Sequence, residues 1–417
     1  MSALAGGRLG DMSLLREGPL AAVMTRLNSD GEETRLVGGA VRDLALGEPP
    51  GDFDLATTAR PEAVIARARA GGLQVIPTGI AHGTVTIFSD GMAIEVTTLR
   101  QDIATDGRHA RVAFGRDFRA DALRRDFTIN ALSIDAEGRV HDYAGGIADL
   151  AARRVRFIGD PRQRIREDFL RILRFFRFSA RFGRGELDPE GFSAAISERD
   201  GLSILSRERV RVELLKLLVA PRAGEVATRV CETGLLQDPL AGTADPARLR
   251  RLIALETARG ERPDAVLRLA ALGVVVVEDA ERVRERLRLS NIEFDRLESL
   301  ARATEKLHGA RTPPSLGDLR LLLFEHGRQG ARDAMTFLHV DSGALPDDER
   351  FSHAYRFVSD TPQPRLPFSG ADILARGVGP GQRVGAVLKT LQALWIRAGF
   401  PREPEALARL MEEALRG

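Results

Sequence analysis

Cysteine is nearly absent. Cys231 is the only one in 417 residues, which excludes an internal disulfide framework and any cysteine-cluster metal site and fits a reducing compartment. Long apolar runs are missing too. The longest, LAALGVVVV at 269–277, is far short of the roughly 20 residues a membrane helix requires. The N-terminal MSALAGGRLGDMSLL has no basic segment followed by a long apolar core, so no signal peptide is expected. There is no large excess of charge: 61 Lys and Arg face 59 Asp and Glu, a formal net of +2, so any nucleic-acid surface must come from clustering of arginines. Histidines are few and without ligand spacing. His141-Asp142 resembles a phosphohydrolase metal pair but falls in a hairpin pattern, and His82, His109, His308, His326, His339 and His353 are scattered. No structural zinc and no added hydrolase domain are expected. These exclusions leave a soluble, cytoplasmic chain with no membrane partner, long enough for two to four domains.

The texture changes along the chain. Residues 34–39 (TRLVGG), 52–58 (DFDLATT) and 73–77 (LQVIP) read as strands, and 83–100 as a hairpin turning at Ser89-Asp90-Gly91. PLAAVMTRLN (19–28) and PEAVIARARAGG (61–72) have helical spacing, the second with a Gly-Gly stop. Residues 127–146 read as a helix start or strand followed by a second hairpin around Glu137-Gly138. From about Gly159 amphipathic helical patterns run to the end, broken by the proline-rich SDTPQPRLPFSG (359–370). The fold class expected is α+β: a small mixed-sheet head (1–148), then an all-α neck (149–218), body (219–358) and tail (359–417). No internal repeat or low-complexity tract is present.

Candidate chemistry begins at GEPPGDFDLATT (47–58). Residues two apart on a strand share a face, so Asp52 and Asp54 project together while Phe53 turns to the core. Two carboxylates that close repel unless a cation lies between them. Oxygen-only ligands suit Mg²⁺, which binds through one or two carboxylates plus substrate phosphates. In MAIEVTTL, Glu95 lies on the more polar face. Next to Asp52 and Asp54 it completes a set able to hold two metals about 3.5–4 Å apart for in-line phosphoryl transfer; turned to solvent it is an ordinary strand glutamate. Upstream, Gly38-Gly39 stand between a strand and a helix, where backbone can approach phosphate and free N–H groups face an anion. Arg42, in the first turn, is placed to reach a triphosphate. Neither the Gly-x-Gly-x-x-Gly signature nor a Walker lysine is present.

LVGGAVRD followed by GDFDLATT, EVTTLR (95–100), RRDFTINAL (124–132), REDFLRILRFFRF (166–178) and ERVRVELLKLL (208–218) together resemble the class II tRNA nucleotidyltransferases and bacterial poly(A) polymerases, members of the polymerase-β-type nucleotidyltransferases. The resemblance spans about residues 34–218 in the family's order. It implies catalytic Asp52, Asp54 and Glu95, metal on Asp52 and Asp54, and a nucleotide held by Gly38, Gly39, Arg42, Arg125, Asp126, Asp168, Arg171, Arg174 and Arg177. Arg124 is an alternative to Arg125, and Asp126 suits a ribose hydroxyl.

At 100° per residue, Asp168, Arg171, Arg174, Arg177 and Arg181 form one polar stripe opposite Phe169, Ile172, Leu173, Phe176 and Ala180. Such a stripe is commonly a solvated cationic face. The sharper reading is chemical. A carboxylate only accepts and a guanidinium only donates. Side by side they match cytosine (N4 amino, N3 acceptor) and adenine (N6 amino, N1 acceptor), and they oppose guanine and uracil. The resemblance assigns this base reading to Asp168 and Arg171.

The expected reaction is addition of C and A from CTP and ATP to the tRNA 3′ end, releasing pyrophosphate. The family links its C-to-A switch to a flexible stretch after EVTTLR, here residues 100–117. A poly(A) polymerase or A-only enzyme is the nearest rival, although the mixed-charge C-terminus PREPEALARLMEEALRG favours tRNA over poly(A) synthesis. A non-catalytic tRNA- or nucleotide-binding protein is the rival from another class. GVGPGQRVG, in the tail, reads as a loop opening a helix that either holds an RNA phosphate or is simply capped. No protein partner is inferred.

Overall fold

Alternation builds the sheet. In Thr84–Ser89 and Met92–Thr98 alternate side chains turn inward, and Val85, Ile87, Ile94 and Val96 are all buried. Asp90 (φ 46°) and Gly91 (φ 78°) join the two strands with both central residues in the left-handed region, the turn whose twist suits a two-residue hairpin. The structure is a computed structural model. It describes residues 4–5, 8–9, 11, 13–80, 83–105 and 110–416, with the backbone alone at 4–5, 8–9, 101–105 and 110–113. The chain divides into two units, Met1–Leu205 with Ala220–Arg222, and Ser206–Val219 with Ala223–Gly417.

The first unit carries the sheet. A short pair, β1 (Leu4–Ala5) and β2 (Arg8–Leu9), precedes α1 (Ser13–Arg16) and α2 (Gly18–Leu27). Then come β3 (Thr34–Val37), α3 (Gly39–Leu46), β4 (Phe53–Thr57), α4 (Pro61–Ala70), β5 (Gln74–Gly79), β6 (Thr84–Ser89) and β7 (Met92–Thr98). A separate ladder of β8 (Arg100–Thr105) and β9 (Ala110–Phe114) follows. This is the stretch expected to be flexible; residues 106–109 and the side chains of 101–113 lie outside the described residues. After α5 (Phe118–Leu123) and a 3₁₀ turn (Thr128–Asn130), β10 (Ser133–Ile134) and β11 (Val140–His141) close the mixed sheet in the order β11-β10-β3-β4-β7-β6-β5. Among the described strands only β4 and β7 pair parallel; the other pairings of this sheet are antiparallel.

Four helices complete the unit: α6 (Gly146–Ala151), α7 (Pro161–Glu167), α8 (Leu170–Phe182) and α9 (Pro189–Ser197). The expected helical stripe beginning at Asp168 needs correction. Asp168 is extended (φ −157°, ψ 105°) and separates α7 from α8; its Oδ1 accepts from Leu170 N–H at 3.1 Å. A short carboxylate competes with the helix for its own backbone and favours a helix start over a helix interior. Of the expected apolar side, Ile172, Leu173, Phe176 and Ala180 are buried and Phe169 is half-buried, but the buried face is wider than that stripe. Phe175, Phe176, Phe178 and Phe182 are buried, and Phe127 lies 4.8 Å from Phe157 and 5.3 Å from Phe178, ring centre to ring centre. Phe127 is fully buried, so Phe127→Ala is expected to cost about 3–5 kcal/mol, read as a lower urea midpoint.

The second unit holds helices and connecting loops, with no strand among its described residues. It holds α10 (Arg207–Leu218), α11 (Ala223–Glu232), α12 (Gln237–Leu240), α13 (Pro246–Arg259), α14 (Ala265–Gly273), α15 (Val277–Leu287), α16 (Asn291–Glu305), α17 (Leu316–Ser342), α18 (Glu349–Asp360), α19 (Gly370–Leu374), α20 (Gln382–Arg397) and α21 (Pro404–Arg416). Val210, Leu214, Leu217 and Leu218 of α10 are buried, as their spacing predicts. Arg268 and Glu256 form a buried pair (2.6 Å) whose guanidinium also donates to the Leu218 carbonyl at 2.7 Å. The helix α17 bends at Gly327 (φ 67°, ψ 179°). Residues 361–369 separate α18 from α19 where the proline-rich break predicts it. Beyond it Ile373, Val387, Leu391, Met411 and Ala414 form a small core of their own.

Candidate active site

Pairing register brings the carboxylates together. In the parallel pair, Asp54 of β4 stands directly opposite Glu95 of β7, and on its other side opposite Val37 of β3. Phe53 is buried while Asp52, Asp54 and Glu95 face solvent. The register puts Glu95 beside Asp54, and its side chain is open to solvent as well. Both carboxyls hold their protons more tightly than usual. Desolvation by surrounding protein raises Asp54, the Arg125 guanidinium pulls it down, and the Asp52 charge pushes it up again. Desolvation and then the Asp54 charge raise Glu95. Among the described residues no three His, Cys, Asp or Glu side chains converge into a self-sufficient metal cage.

The glycine turn sits next to this edge. Gly38 (φ 70°) precedes α3, and its N–H donates to the Leu132 carbonyl at 3.1 Å. A Cβ at Gly38 would lie 2.8 Å from Arg125 Nη1, so the missing side chain is what lets that guanidinium approach. Gly39 opens α3. Arg42, expected to reach outward, is buried. Its Nε and Nη2 donate to Asp43 Oδ1 (3.0 and 2.8 Å), its Nη1 donates to Asn130 Oδ1 (2.6 Å), and its guanidinium lies 4.0 Å from the Phe182 ring centre. Burial lowers its pKa, against the pull of Asp43.

The RRD segment is braced from one helical turn back. Buried Asp121 gives one oxygen to Arg124 and the other to Arg125 Nη2 (3.2 Å), and Arg125 Nη1 donates to the Asn130 carbonyl at 3.3 Å. Asp126 is buried with both oxygens engaged. Oδ1 accepts from its neighbour Phe127 N–H (2.9 Å) and from Asn130 Nδ2 (3.1 Å), and Oδ2 accepts from Arg174 Nε (2.8 Å) and Nη2 (2.6 Å). Burial alone would raise the Asp126 pKa; Arg174, Asn130 and the Phe127 N–H together hold it below the ordinary carboxylate value.

On α7 and α8, Arg171 Nη1 donates to the Arg164 carbonyl (2.8 Å) and to Glu167 Oε2 (2.5 Å). That leaves Nε and Nη2 with no protein partner among the described residues. Arg171 N–H also donates to the Asp168 carbonyl at 3.0 Å, so the two base-reading candidates occupy one turn. Arg174 is committed to Asp126, and Arg177 lies 4.2 Å from the Phe178 ring centre. The histidine pair is architectural. His141 Nε2 meets Asp135 Oδ2 at 2.9 Å, and Asp142 accepts from four backbone N–H groups at the start of α6. His82 and His109 lie outside the described residues.

Three residues of this arrangement do not stand out in the sequence: Asp121, Asn130 and Glu167. Asp121 and Glu167 carry a signal, since each precedes its arginine by three or four residues, the spacing of neighbours on a helix. Asn130 stands four residues after Asp126 and so shares that signal, but its other partner, Arg42, is 88 positions away and leaves none.

The comparisons with known proteins fit this geometry. Residues 34–156 match the family model described as "Poly A polymerase head domain", and 186–241 match "Probable RNA and SrmB- binding site of polymerase A". The chain is 33% identical over 403 residues to "CCA tRNA nucleotidyltransferase 1, mitochondrial" of Danio rerio, covering 92% of this chain and 88% of the relative. It is 40% identical over 215 residues to the "CCA-adding enzyme" of Geobacillus thermodenitrificans, covering 51% and 52%. The solved Bacillus stearothermophilus CCA-adding enzyme in complex with CTP superposes with a TM-score of 0.71 at 29% identity, covering 95% of this chain and 97% of that one. At 33% identity across nearly the whole of both chains, the chain belongs to the class II CCA-adding tRNA nucleotidyltransferase family.

Proposed function

We infer that this protein adds C and then A to the 3′ end of tRNA from CTP and ATP, releasing pyrophosphate, with no nucleic-acid template. The observation that carries the reading is the alignment of Asp54 with Glu95 two residues beyond Asp52, beside the Gly38 turn and Arg125. The terminal ribose oxygen attacks the α-phosphorus; that O–P bond forms as the bond to the pyrophosphate oxygen breaks. No side-chain nucleophile is needed.

Divalent-metal dependence is general in this nucleotidyltransferase family. Asp52 and Asp54, with Glu95 next to them, fit such an ion, because these oxygen-only side chains share one strand edge; desolvation first, and then the neighbouring carboxylate charge, raise the Asp54 and Glu95 pKa values, and a cation there would relieve the second of these. We propose Mg²⁺, which takes one or two carboxylates and completes its shell from phosphates and water. When bound it supplies Lewis-acid stabilisation of phosphate charge. The chain's own groups do the positioning. The Gly38–Gly39 backbone admits the phosphates, and the Arg125 guanidinium faces the same space with its orientation set by Asp121. The Arg42 cation lies one layer behind the turn and acts through Asn130. Asp168 accepts from the base amino group, and the uncommitted Arg171 donors meet cytosine N3 or adenine N1. Arg174 and Arg177 keep that helix face cationic, and Arg174 fixes its attachment to Asp126.

In this reading residues 1–148 perform the chemistry and 149–218 select the base. Residues 219–358 form the body, and 359–417 hold the tRNA, with salt-sensitive affinity. We place the protein in the cytoplasm. The unpaired Cys231, whose thiol burial raises to about 11, suits a reducing compartment.

The test offers the protein tRNA lacking its CCA end with each labelled nucleotide separately. Incorporation from CTP, then from ATP, with none from GTP or UTP, is the expected result. Addition of A alone, or of long A tracts, would replace the reading with an A-adding or poly(A) enzyme. Retention of tRNA or nucleotide without incorporation would leave a binding protein.

A further inference from the structure

We propose that Asn130 is the positioning residue that locks the glycine turn to the arginine-bearing helix α8, so that the phosphate site and the base-reading site are held in one register. The proposal rests on the nucleotide-binding reading above. Its basis is an unbroken chain of hydrogen bonds: Asp43 to Arg42 (2.8 Å), Arg42 to Asn130 (2.6 Å), Asn130 to Asp126 (3.1 Å) and Asp126 to Arg174 (2.6 Å). Every member except Arg174 is buried. Arg42 belongs to the first turn of α3 and Arg174 to α8, so the chain spans the two halves of the expected nucleotide site.

A carboxamide satisfies this link with no titrating proton. A guanidinium can only donate, and an ionised carboxylate can only accept. The side chain between them must present a carbonyl oxygen to Arg42 and an N–H to Asp126, which fixes the amide orientation without ambiguity. The Asn130 backbone adds a third tie, since its carbonyl accepts from Arg125 Nη1 at 3.3 Å. Rotating or removing this amide frees Arg42 from Asp126 and, through Asp126, loosens Arg174. Asn130 touches no reacting atom in this account; it acts through Arg42, Asp126 and Arg125.

Asn130→Asp isolates the claim. The volume is unchanged and Arg42 keeps its acceptor, but a second carboxylate now faces Asp126. The Arg42 and Arg174 guanidinium groups favour ionisation of this pair, and the mutual repulsion of two carboxylates sharing a site opposes it; once one is protonated, its O–H restores the missing donor. The loss should therefore depend on pH, which a purely structural defect would not reproduce. CTP and ATP binding are measured by calorimetry with Mg²⁺ at pH 8 and pH 6, alongside single-nucleotide addition to tRNA, each as a ratio to wild type at the same pH. We expect Kd and KM for both nucleotides to rise at least ten-fold at pH 8, with kcat changed less, and most of that loss to be recovered at pH 6. The paired exchange Asn130→Asp with Asp126→Asn, which restores one donor and one acceptor to the link, should recover binding at pH 8 as well. It also serves where the single variant folds poorly. A ratio near one at both pH values, or an equal loss at both with no recovery in the paired exchange, overturns the proposal. Wild-type protein that binds CTP and ATP without extending tRNA overturns the reaction reading alone, because the binding ratios still test Asn130. Wild-type protein that binds neither overturns both.

Discussion

Asp54→Asn should abolish incorporation of C and A while raising the thermal midpoint of the nucleotide-free protein. The two effects share one cause. A carboxyl whose folded pKa lies above its unfolded value binds its proton more tightly in the native state, so above both values its ionised form opposes folding. Asp54 is such a group. Asparagine removes the charge at nearly the same shape, so the fold gains at pH 7 to 8, and the gain shrinks as the pH falls through the carboxylate range. Activity should move the other way, because the proposed metal site loses one of its two leading oxygen ligands. Lewis-acid stabilisation of phosphate charge is worth several kcal/mol, so the rate should fall on the order of a thousand-fold or more. Asp52→Ala should lose activity to a similar degree. Single-turnover addition to tRNA and a thermal melt across pH 5 to 8 read both arms. A variant that keeps more than about a tenth of wild-type rate would remove these carboxylates from the chemistry.

The second large effect concerns which base is accepted. Asp168→Ala and Arg171→Ala should each lower kcat/KM for CTP and ATP together, by about ten- to a hundred-fold, the scale of one bidentate base contact at about 1–3 kcal/mol. Discrimination against GTP and UTP should narrow in both variants, because part of it comes from the mismatch that the missing group would have imposed. On the proposed assignment, in which the two residues read one base edge as a unit, the double variant should lose less than the product of the two single losses. Equal kcat/KM for all four nucleotides in wild-type protein, or a loss confined to one of C and A, would refute the assignment. Glu167→Gln offers a milder version, because its carboxylate holds Arg171 Nη1 at 2.5 Å.

How legible this was differs element by element. The β6–β7 hairpin follows from strict alternation and an Asp-Gly turn, both local signals, and the structure places it where the pattern does. The juxtaposition of Asp52 and Asp54 also follows locally, from the two-residue period of a strand. That Glu95 joins them does not, because register between β4 and β7 is a tertiary fact. The break at Asp168 is hidden for a different reason. REDFLRILRFFRF has helical spacing on both sides of the aspartate, and a capping side chain leaves little trace in that period. Arg42 shows the limit most clearly. An arginine in a first helical turn beside a glycine pair reads as a phosphate ligand, yet Phe182 and Asn130 enclose it, and the Asn130 partner lies 88 positions away. Burial of that kind is set by the assembled core, not by the residues next to Arg42.

One parallel pairing in an otherwise antiparallel sheet has a consequence for how the enzyme comes into being. Antiparallel neighbours can zip from a tight turn, but β7 can lie alongside β4 only after α4, β5 and β6 have been made and the excursion through them has closed. Non-local pairings of this sort form late in folding. On the ribosome, a growing chain that has exposed residues 52 and 54 still has no Glu95 opposite them, so its acidic edge is unfinished until the head is. Competence for nucleotide transfer is thus a readout of completed biogenesis, and partly synthesised fragments should be inert toward both nucleotides and RNA ends.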